Sequence, residues 1–174
     1  MSAQKRVATV GGPVSQTYSS LTVGYSDSED RLWLRLVRDG GEAKFWMTQR
    51  LAIALLDQSY RLMIGSGDAA DLDREHHVAV EEFVRQQGDQ APPRDRESQI
   101  EVRSGLITSI NVSAAKEGVA WTFVSTQGSA IFQGSRTEAH RLLEVFWRRI
   151  QAAGWRQSPP WNALSSQASV TKGI

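Results

Sequence analysis

The chain has 174 residues, 40% hydrophobic and 22% charged, with a formal net charge of +1 and no cysteine. That composition suits one globular unit with a substantial core and excludes a disulfide framework, a cysteine-ligated metal site and a thiolate nucleophile. No stretch approaches the ~18 consecutive apolar residues of a bilayer span, and residues 1–16 lack the apolar centre of a signal peptide, so a cytoplasmic, bacterial-type protein with no membrane partner is expected.

In chain order, residues 1–16 are polar and small and read as a loose N-terminal arm. Tyr18, Leu21, Val23 and Tyr25 then suggest an extended segment, with imperfect alternation. In "RLWLRLVR", Leu32, Leu34 and Leu36 project to one side of a strand and Trp33, Arg35 and Val37 to the other. "DGG" at Asp39 to Gly41 supports a hairpin, and the return strand sets Ala43, Phe45 and Met47 against Lys44 and Trp46. Thr48 offers a hydroxyl N-cap for a helix from about Gln49 to Met63, carrying Leu51, Ala52, Leu55, Leu56, Leu62 and Met63 and stopping at Gly65.

"DAADLDREHHVAVEEFVRQQ" carries Leu72, Ala79, Val80, Phe83 and Val84 near helical spacing and predicts a third, acidic helix. "GDQAPPRDRES" reads as a solvated linker, since two prolines amid dense charge bury little apolar surface. After residue 99 the pattern returns. "IEVRSGLITSINVSA" and "GVAWTFVSTQGSAIFQG" alternate in period two around turn residues, and "SRTE" at Ser135 to Glu138 is a capping box. The helix it opens places Ala139, Leu142, Leu143, Phe146, Ile150 and Ala153 on one stripe and ends at Gly154. The expected fold is α+β: an antiparallel sheet with amphipathic helices on one face. It is organised as a single domain over residues 17–156, built from two similar β-β-(β)-α halves at 17–64 and 99–156 and bridged by the acidic helix and linker at 65–98. Residues 157–174 read as a flexible tail.

Charge is divided along the chain. Residues 1–100 hold 12 Lys and Arg against 15 Asp and Glu, giving −3, and residues 101–174 hold 8 against 4, giving +4. Such a small imbalance permits weak steering of partners but is not the dense basic stripe of a dedicated nucleic-acid binder.

Candidate chemistry is sparse. The imidazoles are His76, His77 and His140. Asp73 and His77 are four apart on a helix and could share a face, but two ligands are too few for a metal, and the pattern reads as a solvent face. His140, between Ala139 and Arg141, reads as exposed or at a boundary. No G-x-S-x-G elbow and no phosphate-wrapping glycine motif is present. No catalytic residue, metal or cofactor is therefore assigned.

Aromatic residues say more. Trp33 and Trp46 lie opposite the apolar faces of their strands and can form one cross-strand contact on the outer side of the sheet. Either the rest of the molecule covers that pair or a partner does. "SPPWNAL" joins Pro159 and Pro160 to Trp161 and Leu164 and reads either as a docking tail or as a segment folded back on its own domain. Arg141 and Arg148 flank Glu144 at helical spacing and read as salt-bridged solvation, while these two with Arg149 and Arg156 are also candidates for phosphate or acidic-partner contacts.

The leading expectation is a non-catalytic protein-interaction, adaptor or assembly protein. Its partner is another protein or a second copy, as in a homodimer, bound through Trp33, Trp46, Pro159, Pro160, Trp161 and Leu164. A nucleic-acid-associated protein using the arginine-bearing helix comes second, and an enzyme with a site between the halves third.

Overall fold

The computed structural model describes residues 15–65, 68–87, 104–156 and 158–161. In chain order they form β1 (Ser15–Tyr18), β2 (Ser20–Ser26), β3 (Arg31–Arg38), β4 (Gly41–Met47), α1 (Gln49–Ile64), α2 (Ala69–Gln87), β5 (Ser104–Ala115), β6 (Gly118–Ser125), β7 (Gly128–Ser135) and α3 (Arg136–Ala152). The class is α+β: three helices and a seven-stranded, mostly antiparallel sheet of order β1-β7-β6-β5-β4-β3-β2.

Alternation decides the sheet faces. Leu32, Leu34 and Leu36 of β3 are fully buried, as are Met47 of β4 and Phe123 of β6. A register shift between Ile107 and Ser109 inserts one extra residue into β5, so that both Ile107 and Ile110 are turned to the core side, opposite Ser125 and Phe123. On that side α1 buries Leu51, Ala52, Leu55, Leu56, Ser59, Tyr60 and Met63, and α3 buries Ala139, His140, Leu142, Leu143, Phe146, Trp147 and Ile150. The helix α2 packs on α3 and, more lightly, on α1.

The all-antiparallel expectation needs correction. Two antiparallel meanders, β2-β3-β4 and β5-β6-β7, join through a parallel β4–β5 pair, and β1 lies parallel to β7. Parallel neighbours require a long crossover connection, and residues 48–103 provide one between β4 and β5. The N-terminal boundary also shifts, because Ser15 and Gln16, placed above in the arm, pair with Ser129 and Ala130 of β7.

Only Ser19 separates β1 from β2, yet the two stand at opposite ends of the strand order. Consecutive Cα atoms are about 3.8 Å apart, so the sheet must curl until its ends meet. Tyr18 pairs with Phe132, Ser20 pairs with Val37, and both the amide and the hydroxyl of Ser19 donate to the Val37 carbonyl at 2.9 and 3.1 Å. The Arg38 guanidinium sits 5.8 Å from the Tyr18 ring, tying β3 to β1. Near this seam Arg149 of α3 donates from Nε to the Val23 carbonyl at 3.2 Å, and Trp155 meets Tyr25 edge-on at 5.6 Å.

The helix ends differ in how they are made. At Ser135 the capping box is complete: the Ser135 hydroxyl accepts from the Glu138 amide, and the Ser135 amide donates to Glu138 Oε2 at 2.7 Å. Thr48 occupies the N-cap of α1 in extended conformation, but its hydroxyl makes no capping bond, contrary to expectation. Its carbonyl instead accepts from Ala52 at 3.0 Å, so α1 starts on backbone geometry alone.

Candidate functional site

Two regions concentrate side chains of unusual chemistry. The first lies between α2 and α3. Leu72, His76 and Ala79 recur at spacings of four and three and form the buried stripe of α2, with His76 only 4% exposed. His140 sits on the buried side of α3 and is fully buried. The solvent-face reading of His76 and the exposed reading of His140 are therefore overturned, because each ring falls on its helix's packed stripe. His77 does face solvent, 3.3 Å from Glu81. Asp73 is not its co-ligand, since it accepts a hydrogen bond from Tyr60 of α1.

The two buried imidazoles meet Nδ1 to Nδ1 at 3.1 Å. His76 Nε2 lies 3.4 Å from Glu144 Oε2, and His140 Nε2 lies 3.3 Å from Glu75 Oε1, the latter without the alignment of a hydrogen bond. Arg136 donates from Nε to the same Glu75 oxygen at 2.6 Å and from Nη2 to the Met63 carbonyl at 3.0 Å, pinning α1, α2 and α3 together. Arg148 donates to Glu144 Oε1 at 2.8 Å.

Electrostatics follow from these contacts. Burial, then the charge of His76, pushes His140 down to about 4, with Glu75 pulling the other way. The hydrogen bond from Arg136 lowers Glu75 against its partial burial. Burial would raise Glu144, but hydrogen bonds from His76 and Arg148 outweigh it and leave the carboxyl below its usual range. Burial and the Asp73 carboxylate raise the Tyr60 phenol.

Over this cluster lies the segment Ser158–Trp161. Pro160 is buried, and the Trp161 ring rests 4.1 Å from the His76 ring at 33°, bordered by Tyr60 at 6.1 Å and Trp147 at 6.2 Å. The start of the tail is thus docked rather than free, because these rings give the indole apolar surface to bury. Leu164 lies outside the described residues. Shallow grooves flank the cluster, one of about 360 Å³ beside Glu75, Ala79, Thr137 and His140, the other of about 520 Å³ beside His76, Glu144 and Trp161.

No protein-family model matches the chain, and neither does any curated protein or solved structure. Among the described residues, no three His, Cys, Asp or Glu side chains are placed to hold a metal ion. Nor is any helix there long and apolar enough to cross a membrane. Between α2 and α3 four titratable side chains thus stand in line, with hydrogen bonds joining Glu144, His76 and His140 and an ion-pair distance to Glu75.

The second region is the sheet face turned away from the helices. Trp33 and Trp46 stand directly opposite each other across β3 and β4, and Lys44 Nζ hovers over both rings at 5.7 and 5.1 Å. The Trp33 ring fills the space beside Gly24 of β2, where a Cβ would approach it to 2.1 Å. Its indole N–H is buried with no acceptor among the described residues. Arg35 makes a two-nitrogen contact with Glu42, and Leu106 of β5 is 39% exposed beside Trp46.

The arginines proposed for phosphate or acidic-partner contacts each have an intramolecular environment. Arg148 holds Glu144, Arg149 reaches Val23, and Arg156 donates to Asp57 at 2.7 Å. Arg141 turns its guanidinium over Phe83 at 5.8 Å instead of joining Arg148 on Glu144. The signal missed in the sequence was the place of the histidines in the apolar stripes: Leu72–His76–Ala79–Phe83 on α2, and His140–Leu143–Trp147 on α3.

Proposed function

We propose that this chain is a non-catalytic protein-interaction or assembly module, cytoplasmic, that receives another protein or a second copy of itself on the Trp33–Lys44–Trp46 face. One observation carries the reading: two indoles in direct cross-strand register, with a lysine over both, on the side of the sheet opposite the three helices. Rigid indoles offer large contact area at little entropic cost, and tryptophan dominates the energetics of protein interfaces. Leu106 extends the apolar area, while the Arg35–Glu42 pair supplies a charged margin. The arginines of the last helix support the nucleic-acid alternative poorly, since their side chains are engaged within the fold. An internal duplication is part of the same reading, supported by the order of a three-strand meander followed by a helix in β2-β3-β4-α1 and again in β5-β6-β7-α3.

The test is a double substitution, Trp33→Ser with Trp46→Ser, in the full chain. We expect it to abolish both the concentration-dependent rise in light-scattering mass and the recovery of any protein that co-purifies with the wild-type chain from native cells, with the far-UV spectrum unchanged. Unaltered assembly and co-purification in the double variant would refute the proposal. Retention on heparin that falls steeply with salt would move the assignment to the nucleic-acid alternative, with binding through the arginine-bearing last helix.

A further inference from the structure

Glu144, His76, His140 and Glu75 form one line through the α2–α3 interface, with successive contacts of 3.4, 3.1 and 3.3 Å. At each outer contact a ring nitrogen faces a carboxylate, which is favourable when that nitrogen carries its proton. At the central contact two Nδ1 atoms face each other, which is favourable when one holds a proton and the other a lone pair. Three protons on the four ring nitrogens, one more than two neutral imidazoles carry, therefore leave no contact of the line repulsive. A fourth sets two N–H groups head to head and two cationic rings side by side, with almost no water to screen them.

Trp161 makes this line consequential for the C-terminal segment. Its ring rests on His76, Pro160 before it is buried, and Ser158–Trp161 bears no charged side chain. The segment is held by ring packing on a platform that includes His76. Displacing that imidazole removes part of the platform.

We propose that the Glu144–His76–His140–Glu75 line is a proton-operated latch: with no more than three protons it holds His76 beneath Trp161, and a fourth drives the imidazoles apart and frees Ser158–Trp161. The groups facing His140 are His76 and Glu75 from α2 and Arg136 from its own helix, with Asp71, Arg74 and Glu82 of α2 at the edge of the groove beside it. Those facing His76 are His140 and Glu144 from α3 and the uncharged Trp161 ring, with Asp73, Arg74 and His77 at the groove edge; Asp73 is engaged by Tyr60 of α1. Glu75 favours the extra proton, while burial, His76 and Arg136 oppose it, and the balance leaves His140 resisting protonation until about pH 4. In the released form the imidazoles stand apart, so the charge of His76 no longer opposes protonation and His140 returns toward its ordinary value of 6.5. Between those limits the released form binds a proton that the docked form lacks, so the docked-to-released ratio falls by up to ~tenfold for each pH unit of acidification. This inference is independent of the sheet-face reading, whose tryptophans lie on the other side of the sheet.

The experiment follows the Trp161 indole N–H in an NMR spectrum of the full chain from pH 7.5 to 4, assigned by its loss in Trp161→Phe. The Trp121 indole, which donates to Ser59 Oγ at 2.8 Å in the core, serves as the marker of the folded state. We expect the Trp161 signal to move to the position of a free indole below pH 6.5 while the Trp121 signal stays in place. In His140→Phe the midpoint should drop by at least one pH unit. His140→Gln substitutes should the phenylalanine variant not fold, and imidazole nitrogen shifts of the wild-type chain give a reading that needs no substitution: His140 Nδ1 must gain its proton at the pH where Trp161 leaves. Release of Trp161 only together with Trp121, release at an unchanged pH in the His140 variant, or protonation and release more than one pH unit apart would each overturn the proposal.

Discussion

His140 shows what a single buried side chain does to the response of the whole chain to acid. The unfolded chain takes up a proton at this residue near pH 6.5, and the folded chain with Ser158–Trp161 docked refuses it until about 4, chiefly because burial disfavours the charged ring. Folded stability is therefore greatest above 6.5 and is lost as the pH falls through the window below it. With the segment docked the loss amounts to about 2–3 kcal/mol by pH 4.5 on the linkage relation, and release of Ser158–Trp161 limits it to the free energy of release. Glu75, Glu138 and Glu144 are lowered instead, so their contribution is retained through this window and lost only at lower pH. Urea midpoints measured from pH 6.5 to 4.5 should fall in the wild-type chain and fall much less in His140→Phe; parallel trends would contradict the assignment. None of this was visible in the sequence. The partners of His140 lie about one helix away in space but 64 and 65 residues away in the chain, and a histidine between Ala139 and Arg141 carries no local sign of them.

Among the elements, the helices and strands were legible because their apolar periods are local. The stripes over residues 49–63 and 136–153 and the alternation of β3 and β4 all recur in the structure within a residue or two at the ends. Caps were legible only as residue types: Ser135 forms its box, while Thr48, equally suited by composition, leaves its hydroxyl out. Strand partners were not legible beyond the hairpins, since the parallel pairs β4–β5 and β1–β7 join segments far apart in the chain. Gly24 is a case in which pairing turns an unremarked residue into a requirement. It lies opposite Trp33 in the β2–β3 ladder, and the indole occupies the space of its missing side chain. Gly24→Ala should cost about 1–3 kcal/mol, the usual range for forced overpacking, and should alter the near-ultraviolet signal of the tryptophans as the Trp33 ring is lifted. An unchanged near-ultraviolet spectrum would show that the ring does not rest there.

At the scale of the molecule, the two meanders share one core. Trp121 of the second meander donates to Ser59 of α1, Arg156 after α3 holds Asp57 of α1, and α3 reaches across to Val23 of the first meander. A single cluster of buried residues runs from Tyr18 to Ile150. The chain should accordingly unfold in one cooperative transition, with calorimetric and van't Hoff enthalpies in agreement. Two resolved transitions in calorimetry would mean that the halves are separate folding units.

The lone residue at Ser19 also sets an order of events for the chain as it emerges from the ribosome. The hairpins over residues 20–47 need only near neighbours, but the opening strand cannot find its place until the seventh has been made, over a hundred residues later. Contacts of such long range are the slow ones. The first part of the sheet to be translated is thus among the last to be zipped shut.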